Sequence, residues 1–167
     1  KGDVFIESMN KKAKFLGLMN TNFSNPQGFD SRKNYSSAAD LAVLTSYAIK
    51  NYKEFRDIVK KDYEFLPADQ NHKQFDLYNW NGLLGVYPGT SGVKIGNTGR
   101  AGNTTLVLSE REGKKVLVVL LGAPGVLERD IWASQILDTA FKKFNISPSS
   151  LTETDLKNKY ATWKYWN

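Results

Sequence analysis

The sequence predicts an α+β fold in which helices pack on an antiparallel sheet. Three observations carry this. Apolar residues recur at three- and four-residue spacing over residues 4–16 and 36–50. Residues 104–109 and 115–121 read as two strands around Glu110-Arg-Glu-Gly-Lys114, a hairpin turn with glycine near its tip. Helical spacing then returns over residues 128–144.

Each element has a local reason. The first helix carries Phe5, Met9, Ala13 and Leu16 on one face, with Asp3 to cap its start and Gly17 to end it. Residues 20–30, rich in Asn, Pro and Gly, form an ordered loop. Ser36 or Ser37 caps a second helix whose apolar face is Leu41, Leu44, Ala48 and Ile49, and residues 52–61 suit a short third helix. Tyr63-Glu-Phe-Leu and Gln74-Phe-Asp-Leu alternate like hairpin arms. The strand over 115–121 is almost all Val and Leu, which predicts burial on both faces. The helix over 128–144 is expected to bury Trp132, Ile136, Leu137, Ala140, Phe141 and Phe144. After Ser147-Pro148, Ser150-Leu-Thr-Glu153 reads as a capping box for a helix to about Tyr160, and Tyr160, Trp163, Tyr165 and Trp166 form an aromatic tail that packs on or extends from the domain. The expected division is a domain over 1–146 and a tail over 147–167.

The 167 residues are 41% hydrophobic, enough for a core. The net charge of +6 suits an anionic polymer or surface, but no dense Lys/Arg run with interleaved aromatics indicates nucleic acid. There is no cysteine, hence no disulfide or thiolate metal site, and His72 sits alone in a polar loop, so neither metal nor organic cofactor is implied. The most apolar run, 116–121, is too short to span a bilayer.

The chemistry concentrates in Gly92-Val-Lys-Ile-Gly-Asn-Thr-Gly-Arg-Ala-Gly102. A lysine closes a strand inside a glycine-rich segment. Glycines let a ligand backbone approach closely, and Lys94 supplies a positive charge for a carboxylate or an anionic transition state.

This segment resembles the Lys-Thr-Gly box of the low-molecular-mass penicillin-binding enzymes, the D-alanyl-D-alanine carboxypeptidases, with Ile95 in place of threonine. Other stretches follow the family in order: Phe5-Ile-Glu-Ser-Met-Asn-Lys-Lys-Ala13, Thr21-Asn-Phe-Ser-Asn-Pro-Gln-Gly28, Tyr35-Ser-Ser-Ala-Ala-Asp-Leu-Ala42, Asn81-Gly-Leu-Leu84 and Tyr87-Pro-Gly89. The resemblance runs from about residue 4 to 144. It implies a partial penicillin-binding-protein-like (transpeptidase-like, β-lactamase-like) fold and a serine-type D-Ala-D-Ala carboxypeptidase acting on peptidoglycan stem peptides. It implies an extracytoplasmic location, in the periplasm or on the outer face of the bacterial cytoplasmic membrane. Most of these boxes read as scaffold: Asn10 and Asn25 can bond loop backbone, and Asp40 suits a helix's first turn.

In the family a Ser-x-x-Lys box supplies the nucleophile and its base, and a Ser-x-Asn box relays protons. Ser8-Met-Asn-Lys11 has the first spacing, but its helix corresponds to the family's later Met-Asn-x-Lys-Ala helix, where no nucleophile lies. No catalytic residue is therefore assigned here beyond Lys94 as an electrostatic stabiliser. The resemblance assigns substrate binding to Lys94, Ile95, Gly96, Thr98 and Arg129, with Arg129 standing where the family keeps an arginine for the substrate's terminal carboxylate. Isoleucine at 95 has no donor, so Thr98 is expected to compensate in part. The expected arrangement is the downstream part of a longer enzyme, inactive alone and meeting β-lactams only with an upstream half. A non-catalytic peptidoglycan-peptide-binding module and an oligomerising scaffold are the alternatives. A free sheet edge is expected, open to a homodimer or a complementing chain.

Overall fold

The computed structural model describes residues 2–163. Three helices lead: α1 (Gly2–Phe15), α2 (Ala38–Asn51) and α3 (Lys53–Val59). A small hairpin of β1 (Tyr63–Leu66) and β2 (Phe75–Tyr78) follows. Then come β3 (Thr90–Thr98), β4 (Gly102–Arg111) and β5 (Lys114–Ala123), an antiparallel sheet in the order β3-β4-β5. The helices α4 (Val126–Lys142) and α5 (Glu153–Tyr160) complete it.

The helix ends follow local chemistry. Gly17, at φ 72°, closes α1: its N–H donates to Lys14 O and that of Leu18 to Ala13 O, a Schellman arrangement that satisfies two terminal carbonyls. Asp3 lies inside the first turn of α1 rather than before it. Ser37 caps α2 through Asp40 N. The capping box of α5 is displaced from the expected one. Thr152 and Asp155 exchange the two bonds, because Thr152 is the residue that turns extended before the helix.

Strand register separates the two faces of the sheet. Val107 lies opposite Val118 and both join the core, with Ala133, Leu137 and Phe141 of α4. Leu156, Tyr160 and Trp163 belong to that same core, so the tail residues up to 163 pack on the sheet's α4 side. Tyr165 and Trp166 lie outside the described residues. Leu108 and Leu117, also opposite each other, face α2 across a groove of about 620 Å³ bounded by Ile49, Lys50 and Arg56.

Three burial expectations are corrected. Only Val118 and Ala123 of β5 are buried; Leu121 is exposed, since β5 has no strand beyond it among the described residues. The buried stripe of α4 is Arg129, Asp130, Ala133, Ser134, Leu137 and Phe141. Small residues, Ala133 and Ser134, stand in the middle of that stripe. Trp132 and Ile136 fall on its flank, 43% and 45% exposed, and Phe144 lies past the last helical turn. Of the expected apolar face of α1, Ala13 alone is buried, and Phe5 is exposed.

Candidate active-site cleft

The cleft is built against the outer side of β3. Its first wall is the loop over 20–30, shaped by asparagines. Asn10 brackets Phe23, donating to Phe23 O at 2.7 Å and accepting from Phe23 N at 2.8 Å. Asn25 Oδ1 accepts from Gly28 N and Phe29 N, at 2.8 and 3.0 Å. Asp40 accepts from Asn20 N and the Thr21 hydroxyl, so it anchors the loop as well as serving the start of α2. The far end of the loop is tied to the β3–β4 turn. Asp30 accepts from the Thr98 hydroxyl at 2.8 Å and from Arg100 N at 3.2 Å.

Between these walls lies a cavity of about 560 Å³. Lys94, Ile95, Gly96, Thr98 and Arg129 all line it, together with Gly28 and Trp80, so all five expected binding residues meet at one space. They do not approach it alike. Lys94 pairs with Leu106 and Ile95 with Thr105, so alternation sends Lys94 toward the α2–α3 face and Ile95 toward the α4 face, which Arg129 shares. The cavity wraps the edge of β3 and receives both. Lys94 is exposed at the rim, its ammonium donating to the Ile95 carbonyl, and partial burial by the cleft walls lowers its pKa below the ordinary lysine value.

Arg129 is not the surface cation that a helix-start arginine suggests. It is 1% exposed. Its Nε and Nη2 each donate to Asp130 at 2.8 Å, and Nη2 also reaches Trp80 O at 3.0 Å. The Tyr160 hydroxyl donates to Asp130 at 2.9 Å, and the tyrosine's own burial, followed by the charge of that carboxylate, pushes its pKa up. Gly82 makes room for this cluster: a Cβ there would lie 2.2 Å from Asp130 Oδ2. The Asn-Gly-Leu-Leu segment thereby gains a physical reading. Asn81 Oδ1 holds the turn through Leu83 N, Gly82 admits the carboxylate, and Leu83 enters the core.

Thr98 is likewise engaged, donating to Asp30 and accepting from Ala101 N at 3.1 Å. Ser8 and Lys11 stand apart from the cleft on an exposed stretch of α1. Ser8 donates to Val4 O, and Lys11 pairs with Glu7 at 2.7 Å rather than with the serine. His72 is exposed beside Asp69 in the β1–β2 loop. Sequence reasoning missed Asp30 and Asp130; neither motif nor spacing links them to positions 98 and 82. Asn103 was missed as well. It is buried, lines the cavity, and donates to Ala123 O, which leaves its Oδ1 without a partner.

A three-stranded antiparallel sheet flanked by helices, with Lys94 on a glycine-rich edge strand beside a cleft, is the α+β arrangement the sequence led one to expect. The family model described as D-alanyl-D-alanine carboxypeptidase matches residues 2–125, and the chain belongs to that family. It is 36% identical over 146 residues to D-alanyl-D-alanine carboxypeptidase DacF of Bacillus subtilis, covering 86% of this chain and 36% of the relative. It is 30% identical over 142 residues to DacA of Haemophilus influenzae, covering 84% of this chain and 35% of that protein. Among solved structures it resembles the Streptomyces K15 DD-transpeptidase, with TM-score 0.76 and 32% identity over 83% of this chain and 54% of that one. Penicillin-binding protein D2 of Listeria monocytogenes, solved in a cefotaxime-bound form, gives TM-score 0.74 and 29% identity over 82% and 55% of the two chains. The chain thus spans about a third to a half of the length of these relatives. Among the described residues no helix is long and apolar enough to cross a membrane.

Proposed function

We propose that this chain supplies the peptide-binding strand and carboxylate pocket of a serine-type D-Ala-D-Ala carboxypeptidase acting on peptidoglycan stem peptides outside the cytoplasmic membrane. The observation that carries this reading is the meeting of Lys94, Ile95, Gly96, Thr98 and Arg129 around one cavity at the free edge of β3. An extended peptide can add to that edge by main-chain hydrogen bonds. Lys94 then offers a point charge to its terminal carboxylate. Arg129, paired through Nε and Nη2 with Asp130, is largely compensated and shapes the cleft floor, so Lys94 supplies the charge.

Among the described residues no serine lines the cleft, and on this reading the chain supplies binding rather than the nucleophile. Incubation with a fluorescent penicillin and denaturing electrophoresis tests this: no covalent label is expected, and a labelled band would overturn it. Titration with acetyl-D-Ala-D-Ala, acid against amide, tests the pocket. The free acid should bind more tightly; equal affinities would remove the carboxylate from the account.

A further inference from the structure

The tail helix α5 reaches the floor of the cleft through one side chain. The Thr152–Asp155 capping box fixes its start, and Leu156 and Tyr160 are its buried residues. The Tyr160 ring packs on Trp163 with centroids 5.0 Å apart. Its hydroxyl donates at 2.9 Å to Asp130 Oδ2, the same oxygen that accepts from Arg129 Nη2 at 2.8 Å. Gly82 lets the two side chains meet: a Cβ there would lie 2.2 Å from that oxygen and 2.6 Å from Tyr160 Cε1. The terminal torsion of an aspartate is broad, so the bonds to its oxygens set the carboxylate plane. A guanidinium is a rigid planar fork, so that plane in turn sets the fork. Nε and Nη2 hold Asp130, and Nη2 also donates to Trp80 O. Among the described residues Nη1 enters none of these bonds; it is the remaining corner of the fork, in a side chain that lines the cavity.

We propose that Tyr160 is a positioning residue for the cleft: by fixing the Asp130 carboxylate it aims Arg129 Nη1 at the terminal carboxylate of a bound peptide. The inference rests on the peptide-binding reading above. Asp130 compensates most of the arginine's charge, so Lys94 remains the source of charge and Nη1 adds one directed hydrogen bond. Such a bond weakens steeply when its donor turns out of line, so the orientation of the fork decides its worth. The family model ends at residue 125, and Arg129, Asp130 and Tyr160 lie beyond it on α4 and α5. The tail helix thereby belongs to the binding site, although none of its described residues lines the cavity.

The test titrates the full chain with acetyl-D-Ala-D-Ala, as free acid and as amide, for wild type, Tyr160→Phe and Trp163→Phe. Phenylalanine at 160 keeps the ring and removes the hydroxyl. Phenylalanine at 163 loosens the same packing and leaves the hydroxyl on Asp130. The wild type should prefer the acid. Tyr160→Phe should cut that preference about fivefold, the scale of one misaligned hydrogen bond, with amide binding unchanged. Trp163→Phe should lower Tm and keep the full preference. Nitrogen NMR of the wild-type guanidinium needs no variant: the acid should shift the Arg129 Nη1 signal and leave Nε, held by Asp130, in place. A preference that survives Tyr160→Phe, an equal loss in Trp163→Phe, or an Nη1 signal unmoved by the acid overturns the positioning role and leaves the pocket standing. Equal binding of acid and amide by the wild type removes the carboxylate reading itself, and the role of Tyr160 with it.

Discussion

Replacing Arg129 by alanine should destabilise this protein severely, although arginine is polar and sits in the first turns of a helix. The side chain is 1% exposed, and Asp130, its partner, is fully buried. Truncation leaves a carboxylate in the interior that keeps its bond from the Tyr160 hydroxyl but loses both guanidinium donors, and it removes the Nη2 donor from Trp80 O. Removing one partner of a buried pair costs about 3–5 kcal/mol, because the remaining charge is no longer compensated. In a domain of this size each kcal/mol moves Tm by about 2–4 °C, so the loss should be roughly 6–20 °C. Calorimetric melting and urea unfolding measure it. The double variant Arg129→Met with Asp130→Leu should recover much of the loss, since apolar residues of similar volume carry no desolvation penalty. A single variant within about 1 kcal/mol of wild type would refute the cluster's structural role and return Arg129 to the class of ordinary surface cations.

Gly82→Ala should act on the same cluster, costing about 1–3 kcal/mol as the carboxylate and Tyr160 shift to admit a methyl; urea unfolding checks it. Ile95→Thr should tighten binding of acetyl-D-Ala-D-Ala by about tenfold, the value of one charge-assisted hydrogen bond, as read by calorimetry; equal affinity would mean that another donor already serves. Lys94 gives opposite signs for two observables. Its lowered pKa means that carboxylate affinity falls as pH rises through a window below the ordinary lysine value of about 10.4. In that window the unfolded chain holds the proton that the folded chain has lost, so the Lys94 contribution to stability rises with pH. Lys94→Met should abolish both trends, in titrations and melts from neutral to alkaline pH.

Much of this was legible in the sequence where the signal is local. Helical spacing, the serine cap at 37 and the glycine stop at 17 need only neighbours in the chain, and α1, α2 and the β4–β5 hairpin lie close to their expected spans. Lys94 stood out because a charge among glycines is conspicuous at short range. The missed features are all long-range. Trp132 and Ile136 have helical spacing suited to burial, but the buried stripe of α4 is the one that carries the small residues Ala133 and Ser134. The burial of Arg129 and its neighbour Asp130 left no local trace, because Trp80 O reaches Arg129 and Tyr160 reaches Asp130 only through the fold. Asp30 and Thr98 are 68 residues apart and leave no trace of their pairing in either stretch.

In the proposed binding mode, the bond between Asp30 and Thr98 would couple loop position to strand occupancy. The hydroxyl has one proton, and Asp30 holds it. A ligand oxygen that takes that proton must release the carboxylate, and with it one fastening of the Asn-Pro-Gln-Gly loop to the β3–β4 turn. The Arg100 N–H is the second fastening and does not depend on the Thr98 proton. A peptide that engages Thr98 therefore meets a different cleft wall from one that engages Lys94 alone.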